Sequence, residues 1–212
     1  MEPGQMAYFS ITNFNRKHMK ELTSVEIIKD YSARHGYEFM SSSEYEKHHL
    51  YPNDPVLNTK YCVSKFRIKN IDFFLCQHDY FSTQMGMNNT YCGLFRKNNH
   101  NIEFQITVKD WFDNLSFHKH QKTGSSFIDD NFVIHSLENL LDKYINVDLA
   151  KEFIALSKKI SPVKLISAES YINYVPGMSS GHILGIVTNK WLTDDNELDM
   201  FIEKGIKILM IR

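Results

Sequence analysis

The alternation of apolar and polar residues from Asn101 to Val108 places the strongest constraint on the fold of this chain. The apolar residues of this segment are Ile102, Phe104, Ile106 and Val108, and a polar or charged residue lies between each of them and the next. Successive side chains of a β-strand point to opposite faces of a sheet, so the segment predicts a strand with one apolar and one polar side. A sheet built from such strands has one face in contact with water.

Residues 61–68 and 71–77 predict a β-hairpin that turns at Lys69-Asn70. Both segments are rich in apolar and aromatic residues, and the two residues between them are suited to a tight turn. In this register Phe66 lies opposite Phe73. The sequence between residues 61 and 109 is therefore expected to be mainly β-structure.

The three cysteines, Cys62, Cys76 and Cys92, are odd in number and have no C-x-x-C spacing. In the expected hairpin, strand alternation places Cys62 on the face of Phe66 and Cys76 on the opposite face. A disulfide between Cys62 and Cys76 is therefore not expected. The pattern favours buried, reduced thiols in a reducing compartment.

Three segments carry an N-cap residue followed by apolar residues at helical spacing, which predicts a helix in each. The first starts after Thr23 and is expected to end at Gly36. The second starts after Asn146 and is expected to end before Pro162. The third starts after Thr193 or Asp194 and is expected to end at Gly205. Further strands are expected at 37–40, 91–96, 132–135, 163–167, 171–175, 183–188 and 206–211. Residues 41–60 and 113–130 lack periodicity and are expected to be long loops.

Hairpins outnumber strand-helix-strand units in this pattern, which favours an α+β fold with a mostly antiparallel sheet. The long loop suggests a division into two small lobes within one unit. We expect an N-terminal helix and β-rich lobe over residues 1–115, a connection over 116–130 and an α+β lobe over 131–212.

Residues 129–176 contain Phe132-Val-Ile-His-Ser136, an apolar helix over 149–160 and paired strand-like segments over 165–174. This order resembles a pattern in uncharacterised bacterial α+β domains. The resemblance covers under a quarter of the chain. It implies a bacterial α+β fold and says nothing about chemistry.

Two sequence patterns match serine nucleophile motifs. Gly177-Met-Ser-Ser-Gly181 fits G-x-S-x-G, but a strand-like segment follows it and His182 is the last histidine, so no base lies downstream as that motif requires. Ser161 and Lys164 fit S-x-x-K, but Pro162 interrupts the helical turn that would bring them together. No phosphate-binding glycine loop is present. We therefore expect no catalytic residues from these patterns.

Histidines and aspartates concentrate between the two expected lobes. Imidazole and carboxylate groups, which are ligands for divalent metals, are supplied here by His118, His120, Asp129 and His135. On a strand, the two histidines of the H-x-H pattern would point the same way. These four residues are the candidate metal ligands of a metal-dependent hydrolase or nuclease. His48-His49 is a weaker candidate. No complete metal-binding motif is present.

The composition is that of an ordinary globular protein, with a net charge of -1, which gives no general attraction to nucleic acid or anionic membranes. No signal peptide or apolar stretch of membrane-spanning length is apparent. We expect a soluble, cytoplasmic, bacterial protein that is not an enzyme. Its expected function is a protein-binding, regulatory or accessory module without a cofactor, and metal-dependent hydrolysis is the alternative.

Overall fold

The computed structural model describes residues 23–42, 46–48, 57–82, 87–110, 122–136, 145–172 and 174–210. The helices are α1 (Ser24–Arg34), α2 (Ser126–Asn131), α3 (Val147–Ser157) and α4 (Asp195–Met210). The strands are β1 (Glu38–Ser41), β2 (Glu46–His48), β3 (Leu57–Ile68), β4 (Ile71–Ser82), β5 (Met87–Asn98), β6 (Phe104–Val108), β7 (Phe132–Ser136), β8 (Val163–Glu169) and β9 (His182–Thr188).

The described strands form one sheet of nine strands in the order β1-β3-β4-β5-β9-β8-β6-β7, and β2 also pairs with β3. Every strand pairing is antiparallel. Together with the four helices, this sheet confirms the α+β fold class. Because β5 pairs with β9, strands from residues 1–115 and from residues 131–212 belong to the same sheet. None of the described helices is long and apolar enough to cross a membrane.

The two faces of the sheet are covered differently. On the helix face, strand side chains share a buried core with residues of all four helices. On the loop face, strand side chains pack against the connection between β8 and β9, residues 170–181. A continuous row of paired, buried apolar residues crosses the helix face: Leu75, Leu94, Ile186, Leu165, Ile106 and Ile134.

The predicted alternation of β6 is confirmed, because Phe104 and Ile106 are buried on the helix face while Gln105 is partly exposed. The predicted hairpin is also confirmed, with Phe66 paired to Phe73 and a turn at Lys69-Asn70 in which both residues have positive φ. Both strands of the hairpin are longer than expected. The expected long loops over 41–60 and 113–130 are wrong in part. β2 and the start of β3 lie within the first, and most of α2 lies within the second.

The N-cap predictions for α1 and α3 are confirmed. Thr23 and Glu26 form a reciprocal capping box at the start of α1, which satisfies two backbone N–H groups that a helix leaves unpaired. At the start of α3, the Asn146 side chain accepts a hydrogen bond of 2.8 Å from the Leu149 N–H. Side-chain oxygens that accept such bonds stabilise helix starts by about 1 kcal/mol each.

Helix α4 continues through Gly205 to Met210, so the expectation of a helix end there and a strand over 206–211 is wrong. The glycine allows a close approach of the helix to the sheet, since a Cβ at this position would lie 2.7 Å from Leu94 Cδ2. Ile208 and Leu209 are buried with the rest of the helix. The Nε of Arg96 donates a hydrogen bond of 2.8 Å to the Leu209 carbonyl, and a cation at this end also suits the helix dipole.

A buried glutamine fastens the segment between β9 and α4 to the sheet. Gln77 Nε2 donates to the Leu192 carbonyl and Gln77 Oε1 accepts from the Leu192 N–H, both at 2.9 Å. Gln77 and Leu192 are fully buried. Because buried backbone groups need partners, this one side chain replaces a pair of sheet hydrogen bonds.

All three cysteines are free and buried, which agrees with the predicted absence of a disulfide between Cys62 and Cys76. Cys62 lies in the helix-face core and Cys76 in the loop-face core, as strand alternation predicts. Burial raises the pKa of the Cys62 thiol to about 12. Burial also raises the pKa of Cys76 and Cys92.

We expect Gln77→Leu to destabilise the protein by about 2–5 kcal/mol, because it leaves the buried N–H and C=O of Leu192 without their partner. Urea unfolding followed by circular dichroism measures the change. Gln105→Leu, at a partly exposed glutamine of β6, is the control and should change stability by no more than about 0.5 kcal/mol. Equal losses for the two variants would contradict the role assigned to Gln77.

We expect the three thiols to react slowly with a disulfide reagent at pH 8 in the native protein and at once in denaturant. A raised pKa keeps each native thiol protonated at this pH, and the thiolate is the reactive form. Absorbance of the released thiolate counts the reacted cysteines. A cysteine that reacts equally fast in the native and the denatured protein would contradict the assignment of all three to the core.

Candidate functional site

Two of the four candidate metal ligands lie within the described residues. Asp129 is in α2 and His135 is exposed on β7, while His118 and His120 lie outside the described residues. Of the weaker candidate pair His48-His49, His48 ends β2 and His49 lies outside the described residues. Among the described residues, no group of three or more histidines, cysteines or acids could hold a metal ion. The metal site over 118–135, and with it the hydrolase or nuclease activity, stays a prediction.

The Asp129 carboxylate closes the turn that precedes α2. It accepts hydrogen bonds from the N–H and hydroxyl of Thr123 at 2.7 and 2.9 Å, and from the Gly124 N–H at 3.2 Å. Burial alone would raise the pKa of Asp129, but the bonds from Thr123 and Gly124 outweigh it and lower the pKa. These contacts give Asp129 a clear structural role.

The two serine motifs lie in structures that do not suit nucleophilic catalysis. Ser179 is exposed in the connection before β9, and a strand rather than a helix follows it. Gly177 and Gly181, on either side, have positive φ, as expected of a glycine-rich loop. Lys164 lies in β8 and α3 ends at Ser157, so Ser161 and Lys164 do not share a helical turn.

The loop face carries a cluster of aromatic residues that the sequence analysis did not identify. Tyr61, His78 and Tyr91 are paired across β3, β4 and β5 in one row of the sheet. Tyr174, from the connection, lies over this row, with its ring centroid 4.6 Å from that of Tyr61 and 4.9 Å from that of His78. Tyr171 belongs to the same connection. We call these five residues the aromatic cluster.

The connection reaches over the loop face because its apolar side chains are buried there. Ile172, Val175 and Met178 pack on the strand residues of the loop face. The hydroxyl of Ser170 donates a hydrogen bond to the Met178 carbonyl, and the Ser170 N–H donates to the Gly181 carbonyl at 2.8 Å. The expectation of a strand over 171–175 is wrong, since the described residues of that segment form turns and coil.

Phe95 forms the base on which this cluster rests. It is fully buried, and its ring lies over Gly93 and Gly185. A Cβ at either glycine would lie 2.2 Å from an atom of the ring. The two glycines therefore create the space in which the ring lies against the sheet, a use of glycine that is typical where a close approach is required.

The inner part of the aromatic cluster is held by a hydrogen bond between the hydroxyls of Tyr91 and Tyr174. Burial is the main cause that raises the pKa of both tyrosines, so both hydroxyls are protonated at neutral pH. A hydrogen bond between two largely buried hydroxyls holds the rings in a fixed arrangement. This hydrogen bond stabilises the site.

Tyr171 is the outward part of the cluster. Its ring meets those of Phe95 and Tyr91 edge-on, with centroid separations of 6.3 and 6.4 Å. The residue nevertheless remains 48% exposed. A tyrosine with one side packed and one side open offers apolar contact area to a partner. This arrangement is suited to binding.

The sequence contained part of the signal for this cluster. Tyr171 and Tyr174 lie in a segment without charged residues from 170 to 181, which is unusual for an exposed loop of this length. The segment was instead expected to contain a strand. The stacking of Tyr174 on His78 joins residues far apart in sequence, so no local spacing could have predicted it.

Comparisons of the chain with protein-family models, with curated proteins and with solved structures found no match. The resemblance of residues 129–176 to bacterial α+β domains therefore stays an expectation.

We expect Gly185→Ala to destabilise the protein by about 1–3 kcal/mol, because the added Cβ overlaps the Phe95 ring. The sign of the change in the free energy of unfolding is informative, since alanine is otherwise favoured over glycine within a strand by about 0.5–1 kcal/mol. The same substitution in a Phe95→Val background should cost less, as the ring atoms are gone. Urea unfolding of the four proteins gives the coupling energy. Equal costs in both backgrounds would contradict the packing described for Phe95.

Proposed function

We propose that this chain is a non-enzymatic protein-binding module and that it binds its partner through the loop face. The observation that carries the proposal is the half-exposed ring of Tyr171 above a buried aromatic base. Tyrosine is among the residues that contribute most to protein–protein binding, since it offers a large contact area and has few rotatable bonds.

The fixed arrangement beneath Tyr171 supports this proposal. The Tyr91–Tyr174 hydroxyl pair and the stacking of Tyr174 on His78 hold the connection against the sheet. A binding surface that is already ordered loses less conformational entropy when its partner binds. The loop face would therefore present Tyr171 to a partner with little rearrangement.

The cellular location is part of the proposal. Three buried cysteines without disulfides suit a reducing compartment, and we propose the bacterial cytoplasm. There the module would act as a regulatory or accessory subunit of another protein.

A photo-reactive amino acid at position 171 tests the proposed surface in the cells that make the protein. We expect Tyr171→benzoylphenylalanine to give one discrete protein adduct on irradiation. Phe127 on α2, which is 36% exposed, provides the matched control position, and the same substitution there should not give that adduct. No adduct from position 171, or the same adduct from both positions, would exclude the loop face as the binding surface.

A further inference from the structure

The loop face has an excess of positive charge among the strand residues whose side chains the structure describes. Its acids there, Glu38 and Asp72, are each paired with a base: Glu38 lies 3.5 Å from Lys65, and Asp72 lies 2.6 Å from Arg67. Two more lysines, Lys97 and Lys164, lie on this face by strand alternation. No described acid forms an ion pair with either of them.

These two lysines lie on the same face as Phe95, which supports Tyr171. Lys97 follows Phe95 on β5 by two residues, so their Cα atoms are separated by about 7 Å. Lys164 lies two strands from Gly93, through the pairs Gly93–Val187 and Val187–Lys164. The Cα atoms of Lys164 and Gly93 are therefore separated by about 10 Å. Phe95 contacts the Tyr171 ring edge-on. Both lysines therefore lie on the face of the sheet that carries Phe95, the residue whose ring Tyr171 contacts.

The connection that carries Tyr171 adds no negative charge, because residues 170–181 include neither aspartate nor glutamate. The chain as a whole has a net charge of -1, so the positive excess belongs to the described side chains of this face and not to the protein in general. Local charge of this kind selects partners of opposite sign and speeds their encounter.

We propose that the partner contributes an acidic polypeptide segment, which packs an apolar side chain on Tyr171 and pairs its carboxylates with Lys97 and Lys164. This inference rests on the proposed function and names the chemical class of the partner. A polypeptide fits better than a nucleic acid here. Nucleic acids bind through many phosphate contacts and through bases stacked on aromatic ring faces, whereas the described side chains of this face include two lysines outside any ion pair with a described acid and the half-exposed ring of Tyr171.

Defined probes test the partner class directly. Fluorescence anisotropy would compare a labelled peptide rich in Glu, Asp and Leu with the same peptide carrying Gln and Asn in place of its acids, and with oligothymidylate of equal length. We expect the acidic peptide to bind most tightly. The variant Lys97→Gln/Lys164→Gln should weaken its binding by about fivefold or more at low salt, and the difference should shrink at about 0.15 M salt because of screening.

A second pair of lysines provides the matched control. Lys29 of α1 and Lys159, after α3, are exposed and lie outside the loop face. Lys29→Gln/Lys159→Gln removes the same charge and should change binding by less than about twofold if attraction is local. An equal loss in both double variants would overturn the inference, because the attraction would then be general. Tighter binding of oligothymidylate, or equal binding of the acidic and amide peptides, would also overturn it.

Repeating the cross-linking at position 171 in the Lys97→Gln/Lys164→Gln variant separates this inference from the proposed function. A weaker adduct than in the unsubstituted background supports an acidic partner. An adduct of undiminished yield removes the acidic partner and leaves the protein-binding function in place. Absence of the adduct in both backgrounds removes the proposed function itself.

Discussion

The apolar row that crosses the helix face is the interaction on which the rest of the structure depends. Six strands contribute a buried residue to it, from Leu75 on β4 to Ile134 on β7. Helix α4 can lie directly on the middle of the row because Gly205 has no side chain above Leu94. Burial of apolar area is the main favourable term in folding, and here it also fixes the register of every strand that contributes. A slip of one residue in any strand would turn its apolar side chains to the opposite face.

The fixed register places the loop-face residues as well, since each strand presents alternate residues to each face. Leu94 on the helix face implies Gly93 and Phe95 on the loop face, and Ile186 implies Gly185. The Phe95 ring lies in the space that these glycines provide, and Tyr171 contacts that ring. The candidate binding surface is thus a consequence of core packing on the other side of the sheet.

Local patterns in the sequence predicted those features that depend on near neighbours. The confirmed features all follow from spacings of a few residues. They are the alternation in β6, the hairpin at Lys69-Asn70, the caps at Thr23 and Asn146, and the separation of Cys62 from Cys76. The errors arose where a distant contact decides the local structure. Gly205 has the properties of a helix end, but it lies inside α4, where it packs close to Leu94 of a strand distant in sequence.

The candidate site was hidden from the sequence for the same reason. Tyr171 and Tyr174 lie in a segment whose aromatic and β-branched residues are typical of a strand, yet the segment packs across the loop face and forms no strand. Its position depends on contacts with His78, Tyr91 and Phe95. Residues 118–135, which the sequence favoured, have the composition of a metal site, and composition does not specify which side chains meet in space.

The pairing of β5 with β9 has a consequence for how the chain is made. β9 is the last of the described strands to be synthesised, yet it occupies a position in the interior of the sheet. Until it emerges from the ribosome, β5 presents an unpaired edge beside the exposed apolar side chains of Leu94 and Phe95. Such an edge can pair with other chains and aggregate. The nascent protein therefore passes through a vulnerable period that ends only when β9 has emerged and paired with β5, and chaperone protection is most useful during that interval.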